Sequence, residues 1–342
     1  MTYEEKEGLR GRIGDMDISG KHMTRGSPRS RRSSQEYVAL TLKGFCMGAA
    51  DVVPGVSGGT MAFILGIYEE LIRSIRALDL DLLRLLFSFR VKDAMNQAPW
   101  QFLAAVGTGV LMAIFTLARI LSWLLENRPV LIWSFFFGLI AASVFTVSRH
   151  FSRWTPSLLA LIGCGATCTY FLVGLVPAST PDAPWFLFIS GAIAICAMIL
   201  PGISGAFILV LLGKYHYVLE AVNNRDMVPI FLVAGGAVVG LVTFVRFLGW
   251  LFNRHHDLTI AMLTGLMLGS LRKVWPWKET LESVTDTHGH VVVTLQGNVF
   301  PHWPAEIAIA LCAGFLGFLV VFLLNLLGEK RKGDSEKEIG KL

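Results

Sequence analysis

Serine and glycine residues that could bind an anion occur in a phrase that the chain carries twice, Pro-Gly-x-Ser-Gly at residues 54–58 and 201–205. Proline and glycine permit a sharp turn within an apolar stretch, and serine is a good N-cap for the helix that follows. The first N–H groups of such a helix lie at the positive end of its dipole and bind anions. We therefore predict breaks at Pro54, Gly55, Pro201 and Gly202, and an anion site at Ser57, Gly58, Gly59, Thr60, Ser204, Gly205 and Ala206, with free amides at each glycine, Thr60 and Ala206. The alternative is that both phrases only kink packed membrane helices.

Two arginines are further candidates for binding the same anion. Arg119 and Arg246 lie 127 residues apart, each in the second half of an apolar stretch and each one turn before a tryptophan. A guanidinium at membrane depth must face a partner or a cavity, and its fork suits phosphate or carboxylate. The alternative is that both side chains snorkel to the headgroup region.

Acidic residues are scarce near the breaks. Asp51 precedes the first phrase, and its counterpart 147 residues later is the neutral Met198. Asp51 could form a salt bridge to Arg119 or Arg246, cap a helix, or carry a proton, and transport coupled to protons or sodium would rest on it. Glu69 follows the first phrase and is a second candidate for pairing or coupling, although a solvated helix end explains it equally well.

The composition is that of a membrane protein. Hydrophobic residues make up 54% of the chain, charged residues only 16%, and the mean hydropathy is +0.58, whereas soluble domains carry roughly 25% charged residues. The net charge of +5 comes mainly from the ends of the chain. Contact with anionic lipid headgroups explains this charge, and it gives no argument for nucleic acid.

A helix needs roughly 20 apolar residues to cross a bilayer. Six stretches meet or approach this length, namely residues 100–126, 129–149, 155–177, 227–253, 257–273 and 303–328. The two interrupted stretches, 37–77 and 185–221, would place a group of basic residues outside if they crossed completely. We therefore predict that both are re-entrant hairpins, because this places that group inside, as the positive-inside rule requires. The group is Arg73, Arg76, Arg84, Arg90, Lys92, Arg149 and Arg153.

A hairpin followed by three crossings is an odd unit, so two such units in tandem point in opposite directions. The internal similarity supports two units, because Tyr68 matches Tyr215 at an offset of 147 and Trp123 matches Trp250 at an offset of 127. The predicted fold is an all-α polytopic membrane protein of two inverted repeats, each a re-entrant broken-helix hairpin plus three transmembrane helices. Its predicted parts are a disordered cytoplasmic tail at 1–36, repeat 1 at 37–184 with an amphipathic insert around 70–98, repeat 2 at 185–328 with a small outer hairpin in the loop 274–302, and a cytoplasmic tail at 329–342.

The first phrase and its surroundings resemble a known signature. The run Gly-Ala-Ala-Asp-Val-Val-Pro-Gly-Val-Ser-Gly-Gly-Thr at 48–60, continuing through Phe63, Gly66, Ile67, Tyr68 and Glu69, resembles that of the bacterial polyprenyl-phosphate transporter family. The run Leu-Pro-Gly-Ile-Ser-Gly at 200–205 is similar to the family pattern too, and the resemblance covers roughly residues 37–328. It implies a protein of the bacterial inner membrane that returns undecaprenyl phosphate, the lipid carrier of peptidoglycan and surface-glycan precursors, from the outer to the inner leaflet.

The resemblance fits the anion site. A phosphate monoester carries about −1.5 to −2 charges, so helix starts and arginines would replace its hydration while the prenyl tail stays in lipid. Inverted repeats favour alternating access. A small-anion transporter or channel remains an alternative, and so does an intramembrane lipid phosphatase, although the sequence offers neither a triad nor a metal cluster. We expect no enzyme activity and no cofactor beyond a coupling ion.

Overall fold

The computed structural model describes residues 32–52, 56–78, 82, 88, 90, 99–149, 151, 154–178, 180–285, 291–301 and 304–339. Pro54, Gly55 and most of the predicted amphipathic insert lie outside these ranges. The chain divides into two units, residues 1–36 and 37–342. In the first unit Glu36 accepts a hydrogen bond from the backbone N–H of Ser33, at 2.7 Å, at the start of the first helix. Helix therefore begins within the predicted disordered tail.

The first half of the chain forms six helices over the described residues. They are α1 (Ser34–Val52), α2 (Gly58–Ile64), α3 (Tyr68–Arg76), α4 (Trp100–Asn127), α5 (Pro129–Ser148) and α6 (Pro156–Leu172). The second half forms α7 (Pro184–Ile199), α8 (Gly205–Leu211), α9 (Tyr215–Asn223), α10 (Met227–Arg254), α11 (His256–Ser270) and α12 (Pro304–Ile339). The last helix continues through residues 329–339, which the sequence assigned to a tail.

Two strands interrupt the helical pattern between α11 and α12. Strands β1 (Lys278–Thr285) and β2 (Val291–Asn298) pair in antiparallel register, with Lys278 opposite Asn298. The hairpin predicted in the loop 274–302 is therefore present. The fold is mostly helical, consistent with the predicted all-α polytopic membrane protein, with one small β-hairpin added.

Among the described residues, four helices are long and apolar enough to cross a membrane, namely α4, α5, α10 and α12. A fifth span results if the bent pair α8 and α9, which meet at 106°, is counted as one. The sequence predicted six crossings, but α6 and α11 have only 17 and 15 residues. These two short helices pack against each other, since a Cβ added to Gly165 of α6 would lie 2.7 Å from the carbonyl oxygen of Met262 in α11. The protein is a multi-pass membrane protein.

The two halves repeat the same element lengths. Helices α2 and α8 have 7 residues each, α3 and α9 have 9 each, and α4 and α10 have 28 each. After α2 and after α8 the chain turns at a glycine with positive φ, Gly66 at 67° and Gly213 at 65°. Only glycine adopts this conformation without steric cost, which explains why both copies have glycine there.

Equivalent glycines also bring equivalent helices together. A Cβ on Gly44 or Gly109 would strike the backbone carbonyl of the facing helix, which joins α1 to α4. Gly191 and Gly236, at the repeat offsets, join α7 to α10 in the same way. Small residues at membrane helix interfaces allow such close backbone approach.

Equivalent glycines of the two halves also make equivalent contacts with the opposite half. Gly138 of α5 lies against Gly314 of α12, and its counterpart Gly265 of α11 lies against Ile162 of α6. Helix α5 of the first half thus packs on α12 of the second half, and α11 of the second half packs on α6 of the first.

Replacing Gly109 by leucine should destabilise the protein, because the new side chain would meet the carbonyl of Thr41. Overpacking of this kind costs about 1 to 3 kcal/mol. Gly107→Leu on the same helix is the matched control, since nothing lies within 4 Å of a Cβ at that position. Thermal unfolding in detergent should show a lower melting temperature for Gly109→Leu only, and equal effects would contradict the proposed α1–α4 contact.

Candidate functional site

The two interrupted segments meet in the structure. The Ser57 hydroxyl donates to the carbonyl of Met198 at 2.9 Å, and the Thr60 hydroxyl accepts from the N–H of Gly202 at 2.8 Å. Ser57 and Thr60 are only 1% and 0% exposed. Because α7 ends at Ile199, the last carbonyls of this helix and the amides of the break lack helical partners. The first half of the chain supplies hydrogen-bond partners for these groups.

Tyr68 makes a third bond of this kind. Its hydroxyl donates to the carbonyl of Ile199 at 3.0 Å, and its ring packs edge-on against Phe63 and Phe252. Its counterpart Tyr215 is 37% exposed. The position is therefore used for contact between the halves in the first copy only.

The start of α2 is already capped. An oxygen of Asp51 accepts from the N–H of Gly58 at 2.6 Å, and the Ser57 hydroxyl accepts from the N–H of Gly59 at 3.1 Å. The N–H of Thr60 donates to the carbonyl of Ser57 at 2.9 Å. The prediction that these three amides are free donors is therefore wrong. The reason is that α2 folds back beside the end of α1 and brings Asp51 within reach.

The start of α8 differs. Within the described residues, neither the hydroxyl of Ser204 nor the N–H groups of Gly205 and Ala206 have a hydrogen-bond partner. Ala206 is exposed, and Met198 stands where Asp51 stands in the first copy. The donors predicted at this copy therefore have no acceptor within the described part of the chain, although Gly205 is buried.

The backbone of the second break explains the direction of α8. Gly202 has a φ of 93° and is buried beside α11, where an added Cβ would lie 2.8 Å from the carbonyl of Leu266. Pro201 is buried beside it. This turn sends α8 back along α7, so that Gly205 lies next to Ala194.

Both arginines come level with the breaks. In the first half Gly48 of α1 lies beside Ala113 of α4. Gly48 also contacts Val110, so the end of α1 at Val52 is level with residues 114–117, and Arg119 lies two to five residues, or about 3 to 8 Å, beyond it. Arg119 is exposed and, within the described residues, makes no hydrogen bond or ion pair.

Arg246 takes the equivalent place in the second half. The thiol of Cys196 contacts the carbonyl of Gly240 at 3.7 Å. Ile199 is thus level with Thr243, and Arg246 lies about 4.5 Å beyond it. It too is exposed and lacks a partner among the described residues, so Asp51 forms the helix cap rather than a salt bridge to either arginine.

Glu69 is paired. Its carboxylate lies 3.0 Å from Nε2 of His256, the first residue of α11. This contact joins α3 to the loop between α10 and α11.

Sequence reasoning missed two lysines that hold the hairpins. The Lys43 ammonium donates to the carbonyl of Leu65 at 2.8 Å, at the turn after α2. Lys214, only 1% exposed, pairs with Asp182 and donates to the carbonyl of Thr180 at 3.0 Å. A lysine inside an apolar stretch is the only signal that the sequence offers for either contact.

Thr60→Val should lower stability, because it leaves the buried N–H of Gly202 without an acceptor, at a cost of about 1 to 3 kcal/mol. Thr264→Val is the matched control. Thr264 is equally buried, but its hydroxyl only returns to its own helix at the carbonyl of Ile260. Melting temperatures in detergent should fall for Thr60→Val alone, and an unchanged value would contradict the contact between the breaks.

Comparison with known proteins identifies the same family as the sequence signature does. Residues 47–292 match a family model described as VCA0040-like, undecaprenyl phosphate translocase-like. A polyprenyl-phosphate transporter of Vibrio cholerae serotype O1 is 45% identical over 268 residues, which cover 78% of this chain and 87% of the relative. A polyprenyl-phosphate transporter of Staphylococcus aureus is 32% identical over 254 residues, covering 69% and 85%. No solved structure matches the chain. These names are those of transporters rather than enzymes, and the chain belongs to the VCA0040-like family of undecaprenyl phosphate translocase-like proteins.

Proposed function

We propose that the protein moves polyprenyl phosphate, with undecaprenyl phosphate as the natural lipid, from the outer to the inner leaflet of the bacterial inner membrane. Recovery of this carrier would serve peptidoglycan and surface-glycan synthesis. The observation that carries the proposal is the meeting of two copies of one interrupted phrase, one of which has an open helix start. The names of the two relatives support the same lipid.

The proposal includes two inverted repeats whose hairpins enter from opposite sides. It is supported by the surroundings of the hairpins. The turn after α8 lies beside the segment before α7, where the carbonyl of Leu211 accepts from the N–H of Ala178 at 2.9 Å. The helix after α2 lies instead beside the α10–α11 loop, through Glu69 and His256. Both termini would then be cytoplasmic, as the positive-inside rule favours.

Phosphate would bind first at the open copy. The Ser204 hydroxyl and the N–H groups of Gly205 and Ala206 are donors without acceptors in the described part of the chain, and Arg246 would supply charge. Ser57, Gly58, Gly59 and Thr60 form the opposing side of the crossing. We propose that rocking of the hairpins exposes the site to one leaflet at a time, with Arg119 acting at the second stage.

The prenyl tail would remain in the bilayer. Exposed apolar side chains flank both arginines, with Phe115 84% and Trp123 56% exposed around Arg119, and Phe247 52% and Trp250 50% exposed around Arg246. A face of this kind can border lipid while a guanidinium reaches toward the headgroup. Only the phosphate would then need to be enclosed.

Replacing both Arg119 and Arg246 by alanine should slow transport of undecaprenyl phosphate by about tenfold or more, because charged hydrogen bonds contribute about 1.5 to 3 kcal/mol each. Transport is measured in liposomes with leaflet-resolved detection, and free phosphate is followed in the same sample. Arg254→Ala, an exposed arginine of the last turn of α10, is the matched control. Normal transport by the double variant would refute the role of the arginines, and release of phosphate would indicate a phosphatase.

Asp51→Asn tests whether Asp51 acts as a cap or as a coupling group. Asparagine keeps an oxygen that can accept from Gly58, so we expect normal transport at every pH and with either a proton or a sodium gradient. Asp51→Ala removes the cap and should cost about 0.5 to 2 kcal/mol of stability. Loss of transport in a stable Asn variant would instead identify Asp51 as the proton carrier.

A further inference from the structure

A group of buried donors lies between α11 and β1. The indole N–H of Trp277 and the ammonium of Lys278 are fully buried and have no hydrogen-bond partner within the described residues. Lys273, four residues from Trp277, is largely buried, and no hydrogen bond or ion pair of its ammonium occurs in the described part of the chain. Buried donors are normally satisfied, so two fully buried donors without an acceptor beside a further lysine form a place that favours an anion.

Aromatic rings surround the two lysines. The Lys278 ammonium lies 3.8 Å from the ring centre of Trp133 in α5, and the Lys273 ammonium lies 4.7 Å from the ring centre of Phe207 in α8. The ring of Trp277 packs on that of Trp275 at 5.7 Å. Phe207 directly follows Gly205 and Ala206, so the lysine pair lies next to the open start of α8.

The charges around this pair do not balance it. Helices α5 and α8 and strand β2 contain no titratable residue. Arg272 turns away and donates to the carbonyl of Tyr170 at 2.7 Å, while Glu279, the next residue of β1, is exposed. Among the described residues no carboxylate forms an ion pair with either lysine. Burial, and then the charge of Lys273, lowers the pKa of Lys278 to about 7, and burial also lowers the pKa of Lys273.

We propose that Lys273 and Lys278 bind the phosphate group of a phosphate monoester. Two ammonium groups match a ligand with about −1.5 to −2 charges and three acceptor oxygens. The assignment of this phosphate to a prenyl lipid rests on the proposed function. In the proposed topology the α11–β1 turn lies on the outer side, where the site would receive the headgroup before it passes to Ser204 and Gly205.

The pH dependence follows from the same charges. Lys278 is protonated below about pH 7 and loses its charge above it, so affinity should fall as the pH rises from 7 to 8.5. The second ionisation of a phosphate monoester lies near pH 6, so affinity should rise between pH 5 and 7. Binding should therefore be tightest near neutrality, and the decline above pH 7 should be absent when Lys278 is replaced.

The test is equilibrium binding of farnesyl phosphate, a soluble prenyl monophosphate, to the full-length protein in detergent, measured by calorimetry. Lys273→Met and Lys278→Met should each weaken binding at least tenfold, while Arg272→Gln, the neighbouring arginine, should change it less than twofold. Melting temperature separates binding from folding, because removing an unpaired buried charge should leave stability unchanged or raise it. Equal affinity of wild type and both methionine variants would overturn the proposal.

Competing ligands identify the source of the phosphate. Weak competition by inorganic phosphate and none by farnesol would support a lipid headgroup, whereas competition by inorganic phosphate equal to that of the prenyl ligand would assign the lysines to a free-phosphate site and overturn the lipid assignment. Transport of undecaprenyl phosphate by wild type, with lysine variants that bind normally, would refute the lysine site and leave the proposed function standing. Lysine-dependent binding without any transport would support the lysine site and refute the proposed function.

Discussion

The structure depends on hydrogen bonds that satisfy the backbone where apolar helices are interrupted. A helix that stops inside the bilayer leaves carbonyl and amide groups that hydrocarbon cannot solvate, and such breaks are tolerated only where protein or a wet cavity surrounds them. Ser57 and Tyr68 of the first half donate to the last carbonyls of α7, and Thr60 accepts from the amide of the break. The first half of the chain thus supplies hydrogen-bond partners to the break in the second half, whereas the first break is capped from within its own half.

The two copies differ in whether an acidic side chain reaches the start of the second helix. Asp51 places a carboxylate at the start of α2, whereas Met198 leaves the start of α8 without one. A protein carboxylate and an external phosphate compete for the same kind of donor, so the first copy is internally satisfied and the second remains available. The ammonium of Lys273, which has no acceptor among the described residues, lies over Phe207 of that second copy. The asymmetry therefore concentrates the candidate binding groups in the second half of the chain.

The sequence predicts the positions of elements well because the repeat carries local information. Proline, glycine and serine at each break set where a helix can end and begin, and α8 begins at Gly205 as that pattern indicates. Gly66 and Gly213 likewise mark both turns with positive φ. Contacts between residues that are distant in the fold cannot be predicted from such local patterns. No local pattern in the sequence reveals that Asp51 reaches Gly58, that Lys214 pairs with Asp182, or that α6 and α11 are too short to count as spans by length.

Under the proposed function, this chain alone carries a phosphate lipid past the crossing of the two hairpins. The most direct measurement is the movement of undecaprenyl phosphate between leaflets in liposomes that contain only the purified wild-type protein, compared with liposomes without protein. If the protein transports this lipid, we expect the lipid to change leaflet with its phosphate intact and only where the protein is present. A lipid that stays in its original leaflet under both conditions would contradict it.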